Sequence, residues 1–321
     1  MRFKPGLSVE ASRVCVCTCS MMMAFRKLNS SYRGLLSKAC LKKQTGTSSL
    51  LTSQQARLCA AECGTYTRIE QDGVHQAVAI LKMNNKPFNG FNKPFLDEMS
   101  HRLDELRSTG SCQGVIITSA NAGIFSAGLD ISEIYQISQD CAAALWRSLI
   151  EFIMRLYGTN LVTVAAVNGH ATAGGCLLSL SCDYRIMAEG KFNIGFSATQ
   201  LGLITPFWVQ EMMSKACGAR TAEISFQKGL LYTPEQALAI RLVDELQPAE
   251  DLMAAARKQM LKWLAVPEHA RVRTKSMQRA ALIEKVQSSK EEEIQFFANF
   301  LLKESVQEAV GKYLETLKKR K

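Results

Sequence analysis

Two short apolar runs, Gly114-Val115-Ile116-Ile117-Thr118-Ser119 and Leu161-Val162-Thr163-Val164-Ala165-Ala166-Val167, break the otherwise mixed polarity of this chain. Their β-branched residues and lack of polar alternation predict buried strands, and Tyr184-Arg185-Ile186-Met187-Ala188 predicts a further one. Upstream, Thr65–Glu70 and Val74–Met83 flank Asp72-Gly73 and predict an antiparallel hairpin. Residues 84–91, rich in Asn with Pro87 and Gly90, read as a loop. Phe95, Met99, Leu103 and Leu106 then recur at helical spacing, as do Leu145, Leu149, Phe152 and Ile153 in a helix predicted over Asp140–Tyr157. Strands alternating with helices on this scale predict an α/β fold of right-handed β-α-β units. Beyond Pro206 only helices are predicted: Glu211–Cys217, Ala219–Phe226, Pro234–Ile240, Leu252–Ala265, Glu268–Val286, and one last helix over 290–319.

The first 61 residues follow none of these patterns. They hold ten of the chain's 39 Lys and Arg but only one of its 29 acids, so 29 basic and 28 acidic residues remain for the body. A net charge of +10 on 321 residues therefore does not imply a phosphate-binding face, and nucleic acid is not expected as a partner. The leader is rich in Ser and basic residues, and Phe25, Leu28, Tyr32, Leu35 and Leu36 fall on one side of a helix. That is the make-up of a mitochondrial transit peptide. The three methionines Met21 to Met23 offer an alternative start. Residues 1–61 are read as leader, 62–265 as the core and 266–321 as a C-terminal helical region. An apolar fraction of 47% with 21% charged residues is that of an ordinary globular protein. No uncharged apolar run reaches the roughly 18 residues of a membrane span, so the chain is expected to be soluble. The eleven cysteines form no disulfide framework, and Cys15-x-Cys17-x-Cys19 lacks the spacing and the His of a zinc site. No metal is expected.

Chemistry is concentrated after the two apolar runs. Phe125-Ser126-Ala127-Gly128-Leu129-Asp130 follows the first, and Ala173-Gly174-Gly175-Cys176 follows the second and leads into the apolar Leu177-Leu178-Ser179-Leu180. Small residues let a backbone turn closely and expose its N–H groups, and unpaired N–H groups at a helix start suit an oxygen that becomes negative. Taken singly, each glycine pair is also what a tight strand-to-helix turn looks like.

Taken together and in order, the stretches Asn85-Lys86-Pro87-Phe88-Asn89, Phe125 to Asp130, Asn168-Gly169 with Ala173 to Cys176, and Cys182-Asp183-Tyr184-Arg185-Ile186 resemble the signatures of the crotonase (enoyl-CoA hydratase/isomerase) superfamily. Thr199-Gln200-Leu201-Gly202-Leu203 through Thr205-Pro206-Phe207-Trp208 resembles its mitochondrial Δ3,Δ2-enoyl-CoA isomerase branch. The resemblance covers about Thr65 to the C-terminus. It implies a crotonase-like spiral of β-β-α units with a C-terminal helical region used in trimer formation. It also implies an acyl-CoA thioester substrate in the mitochondrial matrix, and no cofactor other than the coenzyme A of the substrate. By the resemblance the N–H groups of Ala127 and Gly174 form an oxyanion hole. Ser126, Ala127, Gly128, Leu129, Asp130, Ile131, Gly174, Leu177 and Ser197 then surround the substrate, with Ile134, Phe196, Leu201, Phe207 and Trp208 as further candidates for an acyl tunnel. Asp130 is expected to order its own loop.

Two positions depart from the family. Hydratases carry a glutamate where this chain has Leu177, and the isomerase branch carries Asn-Glu where this chain has Ser197-Ala198. Leu177 rules against hydration and agrees with isomerisation, which needs one base to move a proton from C2 to C4. Ala198 supplies no such base. Loss of general acid–base catalysis costs about 100- to 10,000-fold, so a slowed isomerase and a catalytically degenerate acyl-CoA-binding subunit are both compatible with the sequence. Glu133, Tyr135 and His170 are the side chains considered as replacements.

Overall fold

A computed structural model describes residues 66–319. The transit-peptide reading of 1–61, the alternative start and the Cys15 to Cys19 cluster lie outside the described residues.

The hairpin forms as β1 (Thr67–Gln71) and β2 (Val78–Met83), antiparallel, with a longer turn than the Asp72-Gly73 pair alone would give. Helix α1 (Lys93–Ser108) starts where the Asn92 side chain accepts the Phe95 N–H, and buries Phe95, Leu96, Met99, Leu103 and Leu106. Strand β3 (Gly114–Ser119) pairs parallel to β2 in the register Val78 to Gly114. It is followed by β4 (Gly123–Ser126), the short helix α2 (Ile131–Ile134) and the long α3 (Gln139–Tyr157). Strand β5 (Val162–Val167), β6 (Gly169–Thr172) and α4 (Gly174–Leu180) come next, then β7 (Tyr184–Ala188) and β8 (Ile194–Gly195).

The pairs β3-β4, β5-β6 and β7-β8 thus each give one strand to each of two sheets before a helix returns, while β1 and β2 both join the larger. The larger sheet has the order β1-β2-β3-β5-β7-β10 and the smaller β4-β6-β8-β9, where β9 is Leu231–Tyr232 and β10 is Glu245–Gln247. This is the expected spiral of β-β-α units. Strands β3 and β5 are buried along their whole length because both faces are covered. On one face Val78, Ile80, Ile116, Val162, Val164 and Ile186 meet Leu252, Ala256 and Met260 of α8 (Leu252–Leu264). On the other, Leu81, Met83, Val115, Ile117, Ala165 and Val167 belong to the main core with α1 and α3.

Three expectations are corrected. Strands β4, β6 and β8 add to the predicted set, because elements of two to four residues carry no periodicity of their own. The region after Pro206 is not purely helical, since β9 and β10 join the two sheet edges between α5 (Phe207–Cys217), α6 (Ala219–Lys228), α7 (Pro234–Ala239) and α8. The single helix over 290–319 is two, α10 (Lys290–Leu301) and α11 (Glu304–Lys319), following α9 (Glu268–Ser288). The break has a tertiary cause: the Gln307 side chain donates to Leu301 O (2.6 Å) and Ile134 O (3.1 Å), which lets Val306 and Val310 turn into the core. Helix α9 is fastened by Asp183, buried between Lys275 Nζ and Arg279 Nη2, each at 2.8 Å. Burial lowers the Lys275 pKa to about 8. Among the described residues no helix is long and apolar enough to cross a membrane.

Candidate active site

The segments that follow β2, β4 and β6 meet at the carboxyl ends of these strands, where ligands of α/β sheets bind. The segment 88–91 serves as a backbone template for 127–130. Ala127 N–H donates to Phe88 O (3.0 Å), Phe91 N–H to Gly128 O (2.7 Å) and Asp130 N–H to Phe91 O (3.2 Å). A trans peptide points its C=O and N–H in opposite directions. With Gly128 O pinned to Phe91, the Leu129 N–H of the same peptide faces away from the template. Among the described residues it has no acceptor.

Gly174 approaches from the second loop. A methyl group on Gly128, whose φ is +82°, would lie 2.4 Å from the Gly174 nitrogen, and one on Gly174 would lie 2.7 Å from the Phe91 ring. Only glycine permits this approach at either position. Ala173, immediately before, is held at φ +50° and ψ −113°, a costly conformation for a residue with a Cβ, and its N–H is tied to Gly195 O (2.8 Å). The Gly174 N–H that follows opens α4 and has no acceptor among the described residues. Two unpaired amides, those of Leu129 and Gly174, therefore flank the contact between the loops.

This corrects the donor pair. Ala127 N–H is consumed by Phe88 O and is not free to bind a substrate oxygen, whereas Leu129 N–H is. Which peptide faces the site depends on the pairing with 88–91, a segment distant in sequence.

The other expected residues divide into two groups. Ser126 is fully buried, with its Oγ donating to Asn89 O (2.8 Å) and accepting from Gly128 N–H (3.1 Å), so its hydroxyl belongs to the loop and not to a ligand. Asp130 caps α2 by accepting from Ser132 N (3.0 Å) and Ser132 Oγ (2.6 Å), as expected of a loop-ordering residue. Trp208 and Ile134 are fully buried, and Phe196 packs on Phe226 with centroids 5.0 Å apart, which makes all three core. Leu177 is buried on α4, while Ile131, Leu201 and Leu129 are half-buried.

Ser197 and Ala198 begin a 3-10 turn (Ala198–Leu201) directly after β8, the strand whose Gly195 O holds Ala173. The turn is well anchored: Leu203 N–H donates to Ala198 O (3.0 Å), Thr199 Oγ1 bonds Phe226 O, and Gln200 Nε2 bonds Gly229 O (3.0 Å). Ala198 is half-buried and presents a methyl group, and the Ser197 hydroxyl has no partner among the described residues.

Of the candidate replacement bases, His170 is unsuited. It lies buried on β6 edge-on to Phe192, its Nδ1 accepts from Asn193 N–H (3.0 Å), and burial lowers its pKa from 6.5. Tyr135 sits against Gly311 of α11, where a methyl would lie 3.0 Å from its ring. Among the described residues the Glu133 carboxylate has no hydrogen-bond or ion-pair partner, its backbone N–H donating to Asp130 O (3.0 Å). Although the residue is exposed overall, partial burial of its carboxyl, and then Asp130, raise its pKa from 4.5.

Comparison with known proteins bears on this geometry. Residues 73–320 match the family described as Enoyl-CoA hydratase/isomerase. The chain is 42% identical to the mouse protein "Enoyl-CoA delta isomerase 1, mitochondrial" over 245 residues, 76% of this chain and 85% of that one. It is 41% identical to the human protein of the same name, over 76% of this chain and 81% of that one. The crystal structure of human mitochondrial Δ3-Δ2-enoyl-CoA isomerase superposes with a TM-score of 0.78 at 40% identity, covering 80% of this chain and 99% of that one. A probable enoyl-CoA hydratase from Mycobacterium tuberculosis, with a TM-score of 0.67 at 20% identity over 74% of this chain and 100% of that one, shares the fold.

Proposed function

The chain belongs to the enoyl-CoA hydratase/isomerase family, and from that premise we propose that it is an isomerase converting cis- or trans-3-enoyl-CoA to trans-2-enoyl-CoA in mitochondrial fatty-acid β-oxidation. The observation that carries this reading is the pair of unpaired amides, Leu129 N–H and Gly174 N–H, on two loops in van der Waals contact. A thioester carbonyl oxygen placed between them accepts both hydrogen bonds. As a base removes the proton from C2, the electrons of that C–H bond form C1=C2 and the carbonyl π pair moves onto the oxygen. The enolate then collapses, C2=C3 forms, and the C3=C4 pair takes the proton back at C4. Two backbone donors that need no rearrangement stabilise the charge, and each is worth about 100- to 1000-fold in rate. Leu177, an apolar side chain, holds no water for addition across the double bond.

We further infer that the substrate's coenzyme A is the only cofactor chemistry involved, and that residues 1–61 direct import to the matrix. The relatives' mitochondrial names support the address. A homotrimer assembled through the C-terminal helices is part of the same reading. Met277 on α9 and Phe296 on α10, 67% and 55% exposed, are the apolar side chains such contacts would cover.

A second reading, a degenerate acyl-CoA-binding subunit, is favoured by Ala198. The deciding experiment assays the full-length chain with 3-hexenoyl-CoA beside Ala198→Glu and Glu133→Gln. The isomerase reading expects measurable wild-type turnover, raised by about 100- to 10,000-fold when the carboxylate is restored. Turnover abolished in Glu133→Gln would assign the base to Glu133. A silent wild type that binds acyl-CoA and gains activity only as Ala198→Glu establishes the degenerate subunit.

A further inference from the structure

We propose that Asn89 is a positioning residue: its buried side-chain amide, spanning three loop ends, sets the direction of the Leu129 N–H. This rests on the two-amide reading above and extends it to a residue that touches no substrate. Asn89 is wholly buried and sits at φ +50°, a left-handed conformation that Asn tolerates better than most residues. Every polar group it has is used. Its N–H donates to Asn85 O (2.6 Å) and its C=O accepts from Ser126 Oγ (2.8 Å). Its Nδ2 donates to Ser119 Oγ (2.7 Å) and to Phe125 O (2.8 Å), and its Oδ1 accepts from Asn121 Nδ2 (3.2 Å).

These partners are the ends of different elements. Ser119 closes β3, Asn121 begins the turn into β4, and Phe125 is the residue left without a partner where the register of β4 on β6 slips between Ile124 and Ser126. The amide fork therefore fixes the irregularity that releases the chain into 126–130. From there the relay is short. Ser126 Oγ donates to Asn89 O and accepts Gly128 N–H, while Phe91, two residues beyond Asn89, holds Gly128 O. Both peptides that flank Gly128 are thus referenced to the segment 89–91, and the second of them carries the Leu129 N–H. Asn168 braces the same cluster through Ser119 O (2.9 Å). With every polar group of Asn89 paired, this buried cluster specifies one arrangement there, and removal of the amide leaves several partners unpaired.

The test uses the full-length chain as wild type, Asn89→Gly and Ser126→Ala. Glycine keeps the left-handed backbone and deletes only the amide. Each protein is titrated with a conjugated dienoyl-CoA, whose ultraviolet band shifts to the red when its carbonyl is polarised, and melting is followed in parallel. Turnover is compared in an Ala198→Glu background. The expected result is a red shift in wild type that is reduced in both variants. Alongside it kcat should fall about 10- to 100-fold with KM within a few-fold of the parent, because a donor displaced by about 1 Å loses that order of rate without losing binding. Variants that bind with an undiminished shift and unchanged kcat overturn the inference and leave Asn89 as packing. Should Asn89→Gly fail to fold, Ser126→Ala alone decides by the same two outcomes. A wild type that binds with no red shift overturns the two-amide reading itself, and this inference with it.

Discussion

Around the two unpaired amides, Asn89, Ser119 and Ser126 are buried and hydrogen-bonded, and glycines at 128 and 174 permit an approach that a Cβ would block. At the turn Ala198–Leu201, where the proposed reaction would need a base, the chain is equally well anchored through Leu203, Thr199 and Gln200, yet it offers a methyl group and a hydroxyl. The difference lies in where each function is stored. An oxyanion hole made of main-chain amides is a property of the path of two loops, so a single substitution cannot remove it without disturbing packing. A general base is one side chain on a turn whose geometry does not depend on it, and a single substitution removes it cleanly.

The largest expected effect comes from breaking the first half. Gly128→Ala puts a Cβ at a residue with φ +82° and 2.4 Å from the Gly174 nitrogen, so the loops must part. Carbonyl polarisation, read as the red shift of a bound dienoyl-CoA, should vanish, and turnover in an Ala198→Glu background should fall about 1000-fold or more as both donors lose aim. A variant that keeps the shift would show that the amides act independently of the glycine contact.

Repairing the second half is the next largest. Beyond the gain in rate, Ala198→Glu should give kcat a limb that rises with pH through the pKa of the new carboxylate, because only its ionised form accepts the C2 proton. Ala198→Gln should give neither the gain nor the limb. If Gln serves as well as Glu, the turn contributes shape and not proton transfer.

The same division explains what could be read from the sequence. Strands β3 and β5 and helices α1 and α3 were legible because unbroken apolar runs, and apolar residues at a period of 3.6, report burial directly. That position 198 carries no carboxylate was legible because it concerns one side chain's chemistry. Strands β4, β6 and β8 were not, since His170 and Thr172 of β6 are placed by pairing with neighbours and not by their own pattern. The donor at Leu129 was missed for a related reason: along an extended segment successive peptides face opposite ways, and only the distant Phe91 decides which one faces the site. Asn89 sat in a stretch whose Asn and Gly content says loop, and nothing in composition distinguishes an exposed Asn from one holding three loops together.

The smallest effect concerns His170, the imidazole that lies nearest in sequence to the second loop and that would unite the two halves if it were the missing base. Its Nδ1 already accepts the Asn193 N–H, and burial lowers its pKa, so the folded chain holds it neutral. In the unfolded chain it titrates near its ordinary 6.5. As pH falls below 6.5 the unfolded form therefore takes up a proton first, and the stability His170 contributes, complete above that pH, is lost down to the folded pKa. Thermal melts of wild type should show a decline across this window that is flatter in His170→Gln. Each step of about 1 kcal/mol in that decline moves the midpoint about 2–4 °C in a chain of this size. Turnover of His170→Gln at pH 7, measured beside Ala198→Glu/His170→Gln, should match the respective parents. If turnover collapses in His170→Gln and the Ala198→Glu background rescues it, the imidazole is the base after all, and the proton-transfer end of the site was moved and not lost.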